Sequence, residues 1–238
     1  MNYSKIIKDE LNKFYKNELL FASDLYKEKL YNKNVSETSY YKLLERMYEN
    51  KEIEKLSKGI YYFPKTSKYG VIPISDNEII SEFTKKNKGM VVGYYLYNKL
   101  NLTTQISKKH IIYTSNVKNE KKIIRNFEIK NIKLNFNNEY IKIIEMLEVL
   151  QNFYKIQDIN YKNFYHYAKT FANSYNENIT NKVLKIINYK KSTISSLENL
   201  LNYFGIKNNL NNYLSSLSKY NHIDMERIYE LTRTQERF

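Results

Sequence analysis

The stretch from Ser36 to Pro64, SETSYYKLLERMYENKEIEKLSKGIYYFP, constrains this chain more than any other. Its first half sets Tyr40, Leu43, Leu44, Met47 and Tyr48 at the i, i+3, i+4, i+7, i+8 spacing of one helical face. At about 100° per residue these side chains form a single buried stripe. Thr38, Tyr41, Lys42 and Glu45 then fall on the opposite face, with Ser39 beside them and Arg46 at the edge. Ser36 is suited to accept from the first free backbone N–H groups and start the helix. After the Asn50-Lys51 turn, residues 53–63 read as two short strands around Ser57-Lys58-Gly59. Gly59 supplies the positive φ of such a turn, and Pro64 ends the second strand because it has no N–H for a ladder. Ile53 and Leu56 are not two residues apart, so the first strand must bend or bulge.

What precedes this stretch decides how to read it. Residues 1–16 form an amphipathic helix with Tyr3, Ile6, Ile7, Leu11 and Phe14 on one side, and Leu19-Leu20-Phe21 is extended. Ser23 reads as the N-cap of a second helix carrying Leu25, Tyr26 and Leu30, with Asp24 in its first turn. The plain alternative for the Tyr41, Lys42, Arg46 face is a solvated helix surface beside a common hairpin. Helix, extended link, helix, turn, helix, hairpin is nevertheless the order of a winged helix-turn-helix. In that arrangement the third helix presents its free face to a major groove and the hairpin is the wing.

Composition agrees. The net charge is +14, and a polyanion partner is the simplest consequence of such an excess. The chain is also rich in Lys, Asn, Ile and Tyr, so part of the excess reflects compositional bias. With no Cys there is no disulfide, zinc ribbon or thiol nucleophile, and the three His (His110, His166, His222) never stand at metal-ligand spacing. The longest apolar run, Met90 to Tyr97, falls short of the roughly 18–20 residues that span a bilayer. The opening residues are too charged for a signal-peptide core. The expectation is a soluble, cytoplasmic chain with no membrane partner, no metal and no cofactor.

Residues 65–75, with Gly70 and Pro73, read as a linker. Asp76 can then cap a helix carrying Ile79, Ile80 and Phe83, and a further helix is expected from about Val91 to Lys99. Thr103-Thr104-Gln105 forms a turn into the β-branched strand His110–Thr114, and Phe127–Leu134 gives one or two more strands. Lys118, Lys121, Lys122 and Arg125 crowd this part. They are a candidate second phosphate contact or, as the plain alternative, a lysine-blunted edge strand.

FASDL (21–25), YYKLLERM (40–47), KLSKGIYYFP (55–64) and GYYLYNKLNLTTQISKKHIIYTS (93–115) together resemble the AbiEi-type antitoxins of abortive-infection toxin–antitoxin operons. The likeness covers roughly residues 20–135, and the Leu102-Thr103-Thr104-Gln105 turn after a Gly93-to-Leu100 helix is its most specific part. Lys51 departs from the pattern, standing where such antitoxins often carry Gly. The resemblance implies a winged-helix autoregulator that counters a nucleotidyltransferase-like toxin without a stable complex. The toxin's own Gly-Ser…Asp-x-Asp signature is absent here.

From Asn138 the chain is helical: Ile141, Ile144, Leu147, Leu150 and Tyr154 form one face, and Tyr161, Phe164, Tyr165, Ala168 and Phe171 a second. Val183, Leu184 and Ile187 give a third helix. A Ser195/Glu198 capping box is expected before Leu200, Leu201 and Phe204, with Gly205 as the stop and a last helix through Leu210, Tyr213, Leu214 and Leu217. Residues 223–238, with Arg227, Arg233 and Arg237, read as a frayed helix or a tail.

The expected fold is therefore α+β and mostly α. Residues 1–66 would form the winged helix-turn-helix and 76–238 an antitoxin domain, with a small α/β part (76–137) and a helical part (138–238). Duplex DNA, an operator with inverted repeats, is the expected partner. Thr38, Ser39, Tyr41, Lys42, Glu45 and Arg46 would read base edges, while Lys55, Lys58 and Tyr61 hold phosphate. No catalytic constellation is legible. The one alternative is a metal-dependent nuclease or RNA-processing protein built on Glu128-Ile129-Lys130, which would still need an acidic partner on a neighbouring strand; the same wing used on RNA is a further variant.

Overall fold

A computed structural model describes residues 3–235 of the chain. Arg237 lies outside the described residues. The fold is α+β, about half helical with small sheets, and divides into two compact units after Lys85.

The first unit opens with α1 (Tyr3–Leu11), which buries Ile7 and Leu11. It ends short of the expected 16, and left-handed Asn17 (φ 61°) turns the chain into β1 (Leu19–Phe21). Next, α2 (Ala22–Leu25) widens into a π turn (Tyr26–Leu30) and tightens into a 3₁₀ turn (Tyr31–Lys33), closed by left-handed Asn34. Ser23 is not its cap. The helix starts directly off the strand, and the Ala22 N–H is taken by the Gly59 carbonyl at 2.9 Å, so tertiary structure replaces a side-chain cap.

After this comes α3 (Glu37–Glu49), capped by the Ser36 hydroxyl, which accepts from the Ser39 N–H. Tyr40, Leu43, Leu44 and Met47 are buried as the spacing requires. Tyr48 is exposed instead. At the helix end the Glu52 N–H donates to the Met47 carbonyl and the Lys51 N–H to the Tyr48 carbonyl, a Schellman closure. The chain folds back, and Ile53, fully buried, is the apolar residue that completes the core there. Lys51 takes the left-handed position of that motif at φ 58°, where glycine is usual.

β2 (Glu54–Ser57) and β3 (Ile60–Tyr62) pair antiparallel with a register shift between Lys55 and Ser57, the irregularity that Ile53 and Leu56 demand. β1 joins on the other side of β3, giving the order β1-β3-β2. Residues 65–75 are not a linker. Lys65–Ser67 (β4) and Gly70–Ile72 (β5) form a separate two-stranded hairpin, since Thr66 and Val71 are β-formers on either side of the Lys68-Tyr69 turn. α4 (Asp76–Thr84) is capped by Ser75 rather than Asp76, in a full capping box with Glu78. It belongs to the first unit, not to the region that follows. Phe83 meets Phe21 edge-on at 5.9 Å, and Glu78 accepts from Asn17 at 2.9 Å and Lys65 at 2.6 Å.

In the second unit, β6 (Gly89–Val92), β7 (His110–Thr114), β8 (Lys121–Ile124) and β9 (Phe127–Asn131) form a sheet of order β6-β7-β9-β8, with β7 and β9 parallel. The expected helix from Val91 is only α5 (Tyr94–Lys99). Residues Met90, Val91 and Val92 pair with Tyr113, Ile112 and Ile111 instead, and Gly93 at φ 72° separates strand from helix. α6 (Asn138–Asn152) is capped by Asn137, and α7 (Tyr161–Asn173) and α8 (Glu177–Ile186) follow. α9 (Lys191–Tyr203) begins before the expected capping box, so Ser195 is a buried mid-helix residue. Residues 210–217 make only one 3₁₀ turn (Leu210–Tyr213), leaving Leu217 exposed. α10 (Met225–Gln235) is a regular helix rather than a tail.

Two glutamates of this unit are buried, Glu145 and, more deeply, Glu148. Glu148 accepts from the Tyr113 hydroxyl at 2.8 Å and the Tyr189 hydroxyl at 3.0 Å. Burial raises its pKa, and the two tyrosines act against that shift. Among the described residues, no helix is long and apolar enough to cross a membrane.

Candidate nucleic-acid interface

The free face of α3 is open. Thr38, Ser39, Lys42, Glu45 and Arg46 are all exposed. Lys42 and Arg46 form no ion pair among the described residues. The Arg46 Nε–H donates to the Lys42 carbonyl at 3.4 Å, which lays the guanidinium along the helix. Uncompensated cations on a rigid helix need no existing partner broken before they meet phosphate or a base edge.

Tyr41 sits at the boundary of this face. It is half-buried against the core, and its ring is 5.2 Å from that of fully buried Tyr40. Burial raises the Tyr41 hydroxyl above its ordinary pKa, with Glu37 adding to the shift, so it stays a neutral donor. Tyr61 is likewise half-buried on the sheet, in register with Lys55. Of the expected wing contacts, Lys55 and Lys58 are exposed, whereas Tyr61 supports the unit from beneath. Gly59 takes φ 75°, the conformation that turns the hairpin.

The second basic cluster is spread over both faces of an edge strand. β8 is the outermost strand, with Lys121 in register with Lys130 and Lys122 with Ile129. Alternation therefore sends Lys121 and Lys122 to opposite faces. Lys118 and Arg125 are exposed, the latter at the left-handed turn into β9 (φ 51°). Glu128 is held between two lysines, at 3.0 Å from Lys121 and 3.5 Å from Lys130. The hydrogen bond from Lys121 is the largest cause lowering its pKa. Among the described residues, no group of three His, Cys, Asp or Glu could hold a metal ion. Glu128 and Lys130 thus stand on one face of a strand as an ion pair.

Charge is divided unequally. Residues 1–85 carry 15 Lys and Arg against 13 Asp and Glu, and residues 86–238 carry 24 against 12. Between residues 86 and 133 alone the count is 11 against 2. The basic excess therefore lies in the second unit, while the uncovered helix face lies in the first. The β4–β5 hairpin leaves little trace in the sequence, because Pro64 and Pro73 frame it like a linker.

Residues 6–164 match the model of a family of unknown function (DUF6088). No curated protein matches the chain. One similar solved structure is the crystal structure of RV2827C protein from Mycobacterium tuberculosis, at a TM-score of 0.42 and 9% identity, over 87% of this chain and 78% of that one.

Proposed function

We propose that this chain, which belongs to the DUF6088 family, is a sequence-specific DNA-binding protein: an antitoxin that represses its own toxin–antitoxin operon. The observation that carries the DNA reading is the polar face of α3, uncovered beside a cationic hairpin. Residues 1–66 act as a winged helix-turn-helix. In it α3 is the recognition helix, with Thr38, Ser39, Tyr41, Lys42, Glu45 and Arg46 at the major groove, and β2–β3 is the wing, with Lys55 and Lys58 on phosphate. Exposed hydroxyl, carboxylate, ammonium and guanidinium groups within 38–46 offer both donors and acceptors, which base-edge discrimination requires. Lys118, Lys121, Lys122 and Arg125 add a sequence-independent phosphate contact.

The antitoxin role rests on the resemblance of residues 21–25, 40–47, 55–64 and 93–115 to AbiEi-type antitoxins. By that likeness the protein counters a nucleotidyltransferase-like toxin without a stable complex and uses no cofactor or catalytic residue of its own. A reading frame for such a toxin beside this one is the observation that tests it.

The DNA reading is tested by footprinting on the promoter upstream of the chain's own reading frame. The double variant Lys42→Ala/Arg46→Ala should lose operator protection by more than about 100-fold, at about 1–3 kcal/mol for each base contact. Its melting temperature should stay within about a degree of wild type, because both residues are exposed. Operator protection that survives the double variant overturns the assignment of α3.

A further inference from the structure

Among the described residues, the β4–β5 hairpin has an edge that no further strand joins. It joins neither the three-stranded nor the four-stranded sheet. All six of its strand residues are exposed. Isolated two-stranded hairpins are marginal in water, yet this one is anchored at its base and closed at its tip by contacts within the turn. At its base the Lys65 N–H donates to Asn17 at 3.3 Å and the Lys65 ammonium meets Glu78 at 2.6 Å. At its tip the Tyr69 N–H donates to the Ser67 hydroxyl at 3.1 Å, and the Lys68 ammonium lies 4.9 Å from the centre of the Tyr69 ring. It is therefore a braced arm, and it carries Tyr69 at 88%, Val71 at 43% and Ile72 at 43% exposure.

Its second strand, β5, differs from β8, an edge of the four-stranded sheet. β8 begins with Lys121 and Lys122, the charged blunting by which edge strands avoid pairing. β5 is Gly70-Val71-Ile72 and carries no charge at all. In a two-residue hairpin the pair beside the turn is hydrogen-bonded and the next is not. Thr66 and Val71 are that second pair, so Val71 directs its N–H and C=O outward.

We infer that β5 is the pairing edge for a second copy of this chain, joined antiparallel about a two-fold axis through Val71. Self-pairing sets Val71 against its own counterpart and Gly70 against the counterpart of Ile72. No like charges meet, and the smallest residue faces the bulkiest. A two-fold contact requires such self-complementarity. Pro73 has no N–H and ends the ladder. Three paired residues bury far less than the about 1,200 Å² of a stable interface. Pairing is therefore weak between free copies and strengthens when two are held side by side. The inference goes beyond the DNA reading, and its expected result is read without DNA.

The absence of cysteine makes a clean test. Counterpart Cα atoms in such a pair are about 5.5 Å apart, within the about 4.4–6.8 Å a disulfide spans. Thr66→Cys, one strand inward, would put its two thiols three strand spacings apart, about 14 Å, beyond bridging. In a glutathione redox buffer, Val71→Cys should form a disulfide-linked dimer at least ten-fold faster than Thr66→Cys. Adding Ile72→Lys to Val71→Cys should return the rate to that of Thr66→Cys. Sedimentation velocity of the chain without cysteine should show its average mass rising with concentration, and Val71→Lys should abolish the rise. Equal rates for the two cysteine variants, together with a mass that stays monomeric at every concentration, overturn the inference. Weaker duplex binding by Tyr69→Ala, with no enhanced cross-linking at Val71→Cys, would make the hairpin a nucleic-acid contact and equally overturn it. Cross-linking by a protein that binds no operator would uphold the pairing while the DNA reading fell.

Discussion

The two units of this chain divide what a DNA-binding surface needs. The first is nearly balanced in charge, at 15 Lys and Arg against 13 Asp and Glu, yet it holds the uncovered helix face. The second is strongly basic, at 24 against 12, but the cluster Lys118, Lys121, Lys122 and Arg125 lies in or beside an edge strand whose side chains point both ways. The difference teaches that net charge does not locate a reading surface. Phosphate attraction scales with the number of cations wherever they sit, whereas base reading depends on a few rigid groups that no neighbour has claimed. On the proposed DNA reading, specificity belongs to the first unit and salt-sensitive affinity in large part to the second.

Neutralising Lys118, Lys121, Lys122 and Arg125 together as Gln is the strongest test of that division. The salt dependence of log K should flatten by about 3.6 units, at about 0.9 for each of four phosphate contacts, with operator and random duplex weakened alike. A change below about one unit, or one confined to the operator, would break the division. The same purified protein incubated with Mg²⁺ and plasmid or tRNA checks the Glu128-x-Lys130 alternative, and cleavage lost in Glu128→Ala would replace the DNA-binding reading.

Lys58→Ala tests the wing on a smaller scale. The salt slope should fall by about one unit, with binding to all duplexes weakened equally. Loss of discrimination between operator and random DNA would instead make Lys58 a base-reading residue.

Acid sharpens the contrast in stability. Hydrogen bonds from Lys65, Ser75 and Asn17 hold the Glu78 carboxyl down at about 2. Its contribution is therefore present above the ordinary carboxylate range and lost as pH falls toward about 2. Glu148 has the opposite sign. Burial raises its pKa, so its stabilising effect is complete below the unfolded value and lost as pH rises through the raised folded value. In chemical denaturation between about pH 2 and 6, Glu78→Gln should reduce the acid loss of stability and Glu148→Gln the loss on the alkaline side. An unchanged pH profile in either variant would remove that carboxyl from the account.

The smallest expected effect is at the end of α3. Lys51 occupies a left-handed position at φ 58°, and Lys51→Gly should stabilise the first unit by on the order of 1 kcal/mol, partly offset by the greater freedom of glycine in the unfolded chain. A destabilised variant would mean that the Lys51 side chain is needed where it is.

Much of the fold was legible where local chemistry decides it. Ser36, Gly59 and the bulge near Lys55 follow from capping, positive φ and strand alternation, and each was readable in place. The misses share a different cause. Ser23 was not a cap because the helix already begins at Ala22, whose N–H is taken by the Gly59 carbonyl, distant in sequence. Val91 did not start a helix because β7 offered three partners to residues 90–92. Tyr48 was left outside because Ile53 folds back to complete the core, and Ser195 lay inside a helix that begins at Lys191. In the candidate site, the exposure of Lys42 and Arg46 could be read from the helical period, whereas the half-burial of Tyr41 and Tyr61 could not.

Sequence alone determined the amphipathic face of α3, the turn after it, the basic balance and the absence of thiol chemistry, because periodicity, glycine conformation and composition act over a few residues or over the whole chain. Tertiary structure decided which polar face stayed open, which lysines share a surface, and that residues 65–72 form a braced hairpin with a bare edge. Those depend on which distant segments meet, and the free energy of pairing two strands or burying one ring is set by the partner as much as by the residue itself.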